Sequence, residues 1–151
     1  MSRQAIPTWF FVLVVVRDAG RFLVVREAKH GQSWYLPAGR VEPGETLAEA
    51  AHRETMEESG VPIVLEGVLK VQHTPSAVGA RLRVIYLARP ADATPPRDHP
   101  NEHSLEARWV TLPEVGALPL RGEEVAALFR WVAGGAALHP LGLIGSEEDD
   151  E

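Results

Sequence analysis

Three glutamates, Glu54, Glu57 and Glu58, stand three and four residues apart in a stretch that otherwise reads as an amphipathic helix. On a helix those spacings put side chains within one turn of each other. With residues placed at about 100° intervals, Leu47, Ala50 and Ala51 form an apolar side. Glu54 and Glu58 fall on that same side with Glu57 at its edge, while Glu49, His52, Arg53 and Met56 take the other. Like charges at these spacings repel by a few tenths of a kcal/mol per pair, and burying them beside apolar residues costs far more. Two readings are open: a solvated charged face, or a seat for a hard divalent cation. Arg53 and Arg40 offset part of the charge. Magnesium or manganese would offset it better, because clustered oxygen ligands are what these ions prefer.

The approach to the helix has its own chemistry. Gly39 and Gly44 bracket a flexible loop that leads to a helix N-terminus, where backbone can come close to a ligand. The plainer reading is an ordinary strand-to-helix connection. Read as a pattern, the segment is Gly39, five residues, Glu45, seven residues, Arg53-Glu54, two residues, Glu57-Glu58, one residue, Gly60-Val61. This spacing resembles the Nudix box. One position departs: the residue after Glu54 is usually a larger aliphatic, and here it is Thr55. The expected consequence is a small change in helix packing.

The resemblance implies a magnesium-dependent pyrophosphohydrolase, with manganese as a substitute, acting on a nucleoside diphosphate linked to another group. It implies that Glu54, Glu57 and Glu58 coordinate the metal with the Gly39 carbonyl. Arg53 would orient the glutamates, and Glu45 would support the loop–helix junction or join the outer metal shell. The base varies across the family, so Glu54, Glu57 and Glu58 compete with Glu102 and Glu106, which lie in a loop that often supplies a carboxylate. Trp34-Tyr35-Leu36-Pro37-Ala38-Gly39-Arg40 and Glu102 to Trp109 are similar to the branch acting on oxidised guanine nucleoside diphosphates. ADP-ribose and dinucleoside polyphosphates are alternative substrates, and a non-catalytic nucleotide-sensing module is an alternative of another kind. Aromatic stacking on a base falls to Trp34, Tyr35, Phe10 or Phe11, each more readily read as ordinary core. Arg26, Lys29, Arg40, Arg81 and Arg83 are the cations that could meet phosphates.

These residues need a frame. Trp9 to Val16 is an eight-residue aromatic and β-branched run, a buried strand. Asp18-Ala19-Gly20 turns it into a second strand, Phe22 to Arg26. Thr46 with Glu49 predicts a capping box for a helix ending near Ser59, with Gly60 in the left-handed position and Pro62 stopping it. Val61 to Gln72 and Arg81 to Arg89 read as strands, Pro90 to Pro100 as a loop, and Ala107 to Thr111 as a short strand. Glu123 to Val132 has helical spacing up to Gly134 and Gly135. The expected fold is a mixed α/β sheet, and the resemblance makes it an α/β/α sandwich around a catalytic helix. One domain over residues 1–145 and a disordered acidic tail over 146–151 account for the chain.

Composition narrows the classes further. Of the net charge of −6, the tail of Glu147, Glu148, Asp149, Asp150 and Glu151 supplies most, leaving a nearly neutral body. No basic face is evident, which argues against a nucleic-acid partner and against RNA-end processing. There is no cysteine, hence no disulfide or thiolate site. The apolar run is too short to span a membrane, and no basic, cleavable leader precedes it; the expected location is the cytoplasm. Strand Trp9 to Val16 could pair across a homodimer or lie inside one sheet.

Overall fold

Everything is arranged around β1 (Thr8–Asp18). Its central residues, Val12 to Val16, are at most 3% exposed, as a strand covered on both faces requires. Even-numbered Val12, Val14 and Val16 join one core and odd-numbered Leu13 and Val15 the other. Along one edge β1 pairs in parallel with β6 (Ala80–Pro90). The other edge is shared. Its first half takes β4 (Ala38–Arg40) antiparallel, with Val12 opposite Gly39, and its end takes β2 (Arg21–Arg26). β5 (Ile63–Pro75) extends the sheet beyond β6, and β3 (Trp34–Tyr35) and β7 (Glu106–Val110) flank β2. Both edges of β1 are thus occupied. The apolar run is buried within one sheet and has no edge left to pair across a dimer.

The computed structural model describes residues 3–150; Met1, Ser2 and Glu151 lie outside the described residues. Helix α1 (Leu47–Ser59) covers the even face of β1, burying Ala50, Ala51, Thr55 and Ser59. It begins with the expected reciprocal capping box of Thr46 and Glu49 and ends at Gly60 with φ 75°. Thr55 needs no aliphatic replacement, because its buried hydroxyl donates to the Ala51 carbonyl at 2.8 Å. Helix α3 (Glu124–Ala133) covers the odd face with Val125, Leu128, Phe129 and Val132. Phe129 stacks on Phe22 from β2, their ring centroids 4.5 Å apart. The mixed seven-stranded sheet between helices is the expected α/β/α arrangement.

Some pieces exceed the sequence reading. β3 and β4 are two- and three-residue strands, and α2 (Leu112–Gly116) is a single capped turn. After α3 the chain crosses back over β5, where Val68 and His139 exchange backbone hydrogen bonds of 2.8 and 2.9 Å. Where a disordered tail is expected, Glu147–Asp150 forms a 3-10 turn, and the Ser146 N–H donates to the Asp149 carboxylate at 2.8 Å. No helix among the described residues is long and apolar enough to cross a membrane.

Candidate active site

Arg53 is the hub. It lies nearly two turns into α1, and its guanidinium forms a fork on Glu45, Nε donating at 2.6 Å and Nη2 at 2.9 Å. Nη1 reaches Glu54 at 2.8 Å and Glu57 at 3.2 Å, and Nη2 also donates to the Arg40 carbonyl at 3.1 Å. One side chain therefore ties the loop before the helix to two of its carboxylates. Such a fork is specific to arginine; lysine cannot reproduce it. Donation from Arg53 holds the Glu45 carboxyl below the usual carboxylate range.

Gly39 and Glu54 fit each other closely. A Cβ built on Gly39 would overlap the Glu54 carboxylate, so only glycine allows this approach of side chain to backbone. Burial raises the Glu54 carboxyl, with Arg53 working in the opposite direction. Glu58 points to the other side of β4 and accepts the Ala38 N–H at 2.9 Å. Burial pushes its carboxyl well above the usual range, opposed by the Ala38 hydrogen bond and reinforced by Glu54, Glu27 and Glu57.

Two clefts open beside these residues. The larger, of about 1130 Å³, lies by the N-terminal half of α1 and includes Arg40, Glu54, Trp9, Phe10 and, from the C-terminal segment, Leu141 and Ile144. The smaller, of about 380 Å³, lies past Gly39 and includes Glu58, Tyr35, Arg81, Arg83 and Arg121. The Arg40 guanidinium stacks on Trp9 at 4.4 Å and Arg81 on Phe11 at 4.6 Å. Arg83 pairs with Glu124, which also accepts from the Tyr35 hydroxyl. Trp34 lines neither cleft: it is 4% exposed, with the Arg108 guanidinium over its ring. Arg26 is spent on Gln32 and Glu106.

A NUDIX domain model matches residues 9–132. The chain belongs to the Nudix family. It is 37% identical over 134 residues to the human 8-oxo-dGDP phosphatase NUDT18, a match covering 85% of this chain and 40% of that protein. The chain thus spans well under half the length of that relative. Phosphatase NudJ of Escherichia coli strain K12 is 34% identical over 137 residues, covering 89% of this chain and 88% of NudJ. Among solved structures, a NUDIX hydrolase from Nitrosomonas europaea superposes with a TM-score of 0.77 at 23% identity, covering 93% of this chain and 98% of that one.

The divalent cation that a Nudix box implies finds suitable donors here. Hard carboxylate oxygens line both sides of β4, and the missing Cβ at Gly39 leaves its backbone open to the Glu54 carboxylate. As they stand, no three His, Asp or Glu groups among the described residues are gathered at metal-holding distance; Arg53 carries the charge of Glu45, Glu54 and Glu57 instead.

The loop glutamates differ from each other. Glu106 lies in β7, pairs with Arg26 and Arg108, and is held on the sheet. Glu102 has a side chain 86% exposed and sits next to His103, whose Nδ1 is 3.7 Å from Glu57. The loop itself is fastened to the end of α1. Arg97 and Ser104 donate to the Glu58 carbonyl, and Arg97 and Asn101 to that of Glu57. Sequence reading missed this clasp, His103, and Glu27 in the smaller cleft. A four-residue Asn-Glu-His-Ser stretch just before a strand carries no period that would reveal it.

Proposed function

We propose that this Nudix protein hydrolyses the diphosphate linkage of a nucleoside diphosphate or its derivative, with oxidised guanine nucleotides as preferred substrates. The observation that carries the reading is the Arg53 hub, which joins Glu45, Glu54 and Glu57 beside Gly39, whose missing Cβ leaves room for the Glu54 carboxylate. A structural helix gains little from three carboxylates sharing one arginine, since such ion pairs contribute at most about 1 kcal/mol each.

Glu54, Glu57 and Glu58, with the Gly39 carbonyl, are the residues that would hold magnesium, and manganese would serve in its place. When bound, the cation neutralises diphosphate charge and makes a nearby water a better nucleophile. The protein supplies the rest. Arg53 fixes the glutamate rotamers, as partners behind metal ligands commonly do. Arg81 faces the smaller cleft and would take phosphate oxygens there, beside Arg83, which Glu124 holds in place. Glu102, exposed and next to the residue that reaches Glu57, is the loop carboxylate free to accept a proton; Glu106 is tied down.

The human relative's name supports the guanine assignment, as does the larger share of NudJ that the chain covers for a phosphatase activity in general. The test is product analysis on a nucleotide panel: oxidised and normal guanosine di- and triphosphates, ADP-ribose and a dinucleoside polyphosphate. Highest kcat/KM on 8-oxo-dGDP is the expected outcome. Preference for ADP-ribose or a dinucleoside polyphosphate would replace the substrate assignment, and no turnover of any of them would remove the catalytic one.

A further inference from the structure

Neighbouring strands carry arginines onto one face of the sheet. Residues opposite each other in register share a face. Arg40 of β4 stands opposite Phe11 of β1, Phe11 opposite Arg83 of β6, and Trp9 opposite Arg81. With Arg121, from the bend before α3, the three arginines line the smaller cleft against two carboxylates, Glu27 and Glu58. The balance of the lining is positive.

The four guanidiniums are not equally engaged. Arg83 is held by Glu124, which lies outside the cleft, and by Gln72. Arg121 stands 3.3 Å from Glu27. Glu58 accepts the Ala38 N–H at 2.9 Å, and burial raises its carboxyl, which weakens its claim on a cation. Arg40 and Arg81 form no ion pair among the described residues. Their guanidiniums lie over rings instead, Arg40 4.4 Å from the centre of Trp9 and 6.0 Å from that of Phe11, Arg81 4.6 Å from that of Phe11. A ring covers the face of a guanidinium and leaves the N–H groups at its edge free to donate. Stacking explains where each side chain lies. It does not explain why two like charges meet beside one ring with no acid between them, an arrangement that repels.

An anion with several oxygens removes that repulsion. A terminal phosphate carries nearly two negative charges at neutral pH and three acceptor oxygens, and arginine grips phosphate through paired N–H bonds. A phosphate esterified on both sides offers less charge and fewer oxygens. Arg40 lines the larger cleft as well as the smaller, so a diphosphate chain can pass from one to the other beside Gly39.

We propose that Arg40 and Arg81 hold the free terminal phosphate of the substrate, and so favour nucleotides that end in a phosphate over those whose diphosphate is capped on both sides. The proposal rests on the reading of this cleft as part of the hydrolase site, and binding is measured rather than turnover to keep the two apart. The whole chain in magnesium is titrated by calorimetry with the α,β-methylene analogue of 8-oxo-dGDP, and with the same compound esterified through its terminal phosphate to ribose. The nucleoside is common to both, so its contribution cancels. The free-ended compound should bind about tenfold or more tightly than the capped one. Arg81→Gln should abolish that difference by weakening the free-ended compound and leaving the capped one nearly unchanged. Arg40→Gln, on another strand, should act in the same direction. Both side chains are exposed, so the variants should melt as the unsubstituted protein does.

Equal binding of the two compounds, binding of neither, or a difference that survives both substitutions would overturn the proposal. If the difference is present and Arg81→Gln removes it while 8-oxo-dGDP is not turned over, the phosphate site stands and the catalytic reading falls. If 8-oxo-dGDP is turned over while the two compounds bind alike, the catalytic reading stands and this one falls.

Discussion

Glu102 and Glu106 look equivalent as residues, two glutamates in one loop, and the structure divides them. Glu106 is held by Arg26 at 3.6 Å and Arg108 at 3.1 Å, while Glu102 projects into solvent beside His103. General-base help is typically worth about 10²- to 10⁴-fold. Glu102→Gln should therefore lower kcat within that range. Glu106→Gln should cost no more than a few-fold. The reverse order, measured across pH, would move the base to the strand. Glu58 gives a second expectation, about stability. Its folded-state carboxyl is raised above the ordinary 4.5, so the stabilisation of its protonated form is complete below that value and is lost as pH rises through the folded one. In chelator, the melting temperature should fall as pH is raised above about 4.5, and Glu58→Gln should flatten that slope. A slope that Glu58→Gln leaves unchanged would assign the effect to other groups. The box residues were legible in the sequence because spacing on a helix dictates which side chains share a face. Glu27 and His103 were not, since each reaches the box from the end of another element, and no local period encodes where two elements meet.

Elements were legible in proportion to their length and punctuation. α1 was marked at both ends, by Thr46 with Glu49 and by Gly60, and its observed span follows. β1 was readable as buried, but its neighbours were not. A run apolar on both faces fits any central strand, and only tertiary pairing shows that β4 and β2 divide one of its edges. β3, β4 and α2 escaped because two to five residues hold too little pattern. The cap of α1 also matters for the site, because Glu45 precedes Thr46 and reaches Arg53 from the same turn. Thr46→Ala removes the side-chain acceptor for the Glu49 N–H at 3.1 Å. It should cost about 1 kcal/mol in chemical denaturation and lower kcat as well. Loss of stability with kcat untouched would show that the Glu45–Arg53 fork does not depend on the cap.

At the level of the molecule, the sheet places β4 as a ridge, with Glu54 toward one cleft and Glu58 toward the other. The closing segment matters to this shape. Leu138 packs on Gly67, where a Cβ would come within 2.6 Å of it, and Leu141 and Ile144 beyond it line the larger cleft. That return over β5 was hidden in the sequence, since Ala136 to Gly145 shows neither a helical nor a strand period. The account's central claim is that the box carboxylates work through a divalent cation to break a diphosphate bond. Its most direct test is phosphate release from 8-oxo-dGDP by the unsubstituted protein and by Glu57→Gln, each in magnesium and in chelator. Glu57 is partly exposed, with 31% of its side-chain surface open, so the variant should fold with an unchanged melting temperature. The account predicts turnover only with magnesium, lowered about 10²-fold or more in Glu57→Gln. Equal rates in chelator, or a folded Glu57→Gln as fast as the unsubstituted protein, would contradict it.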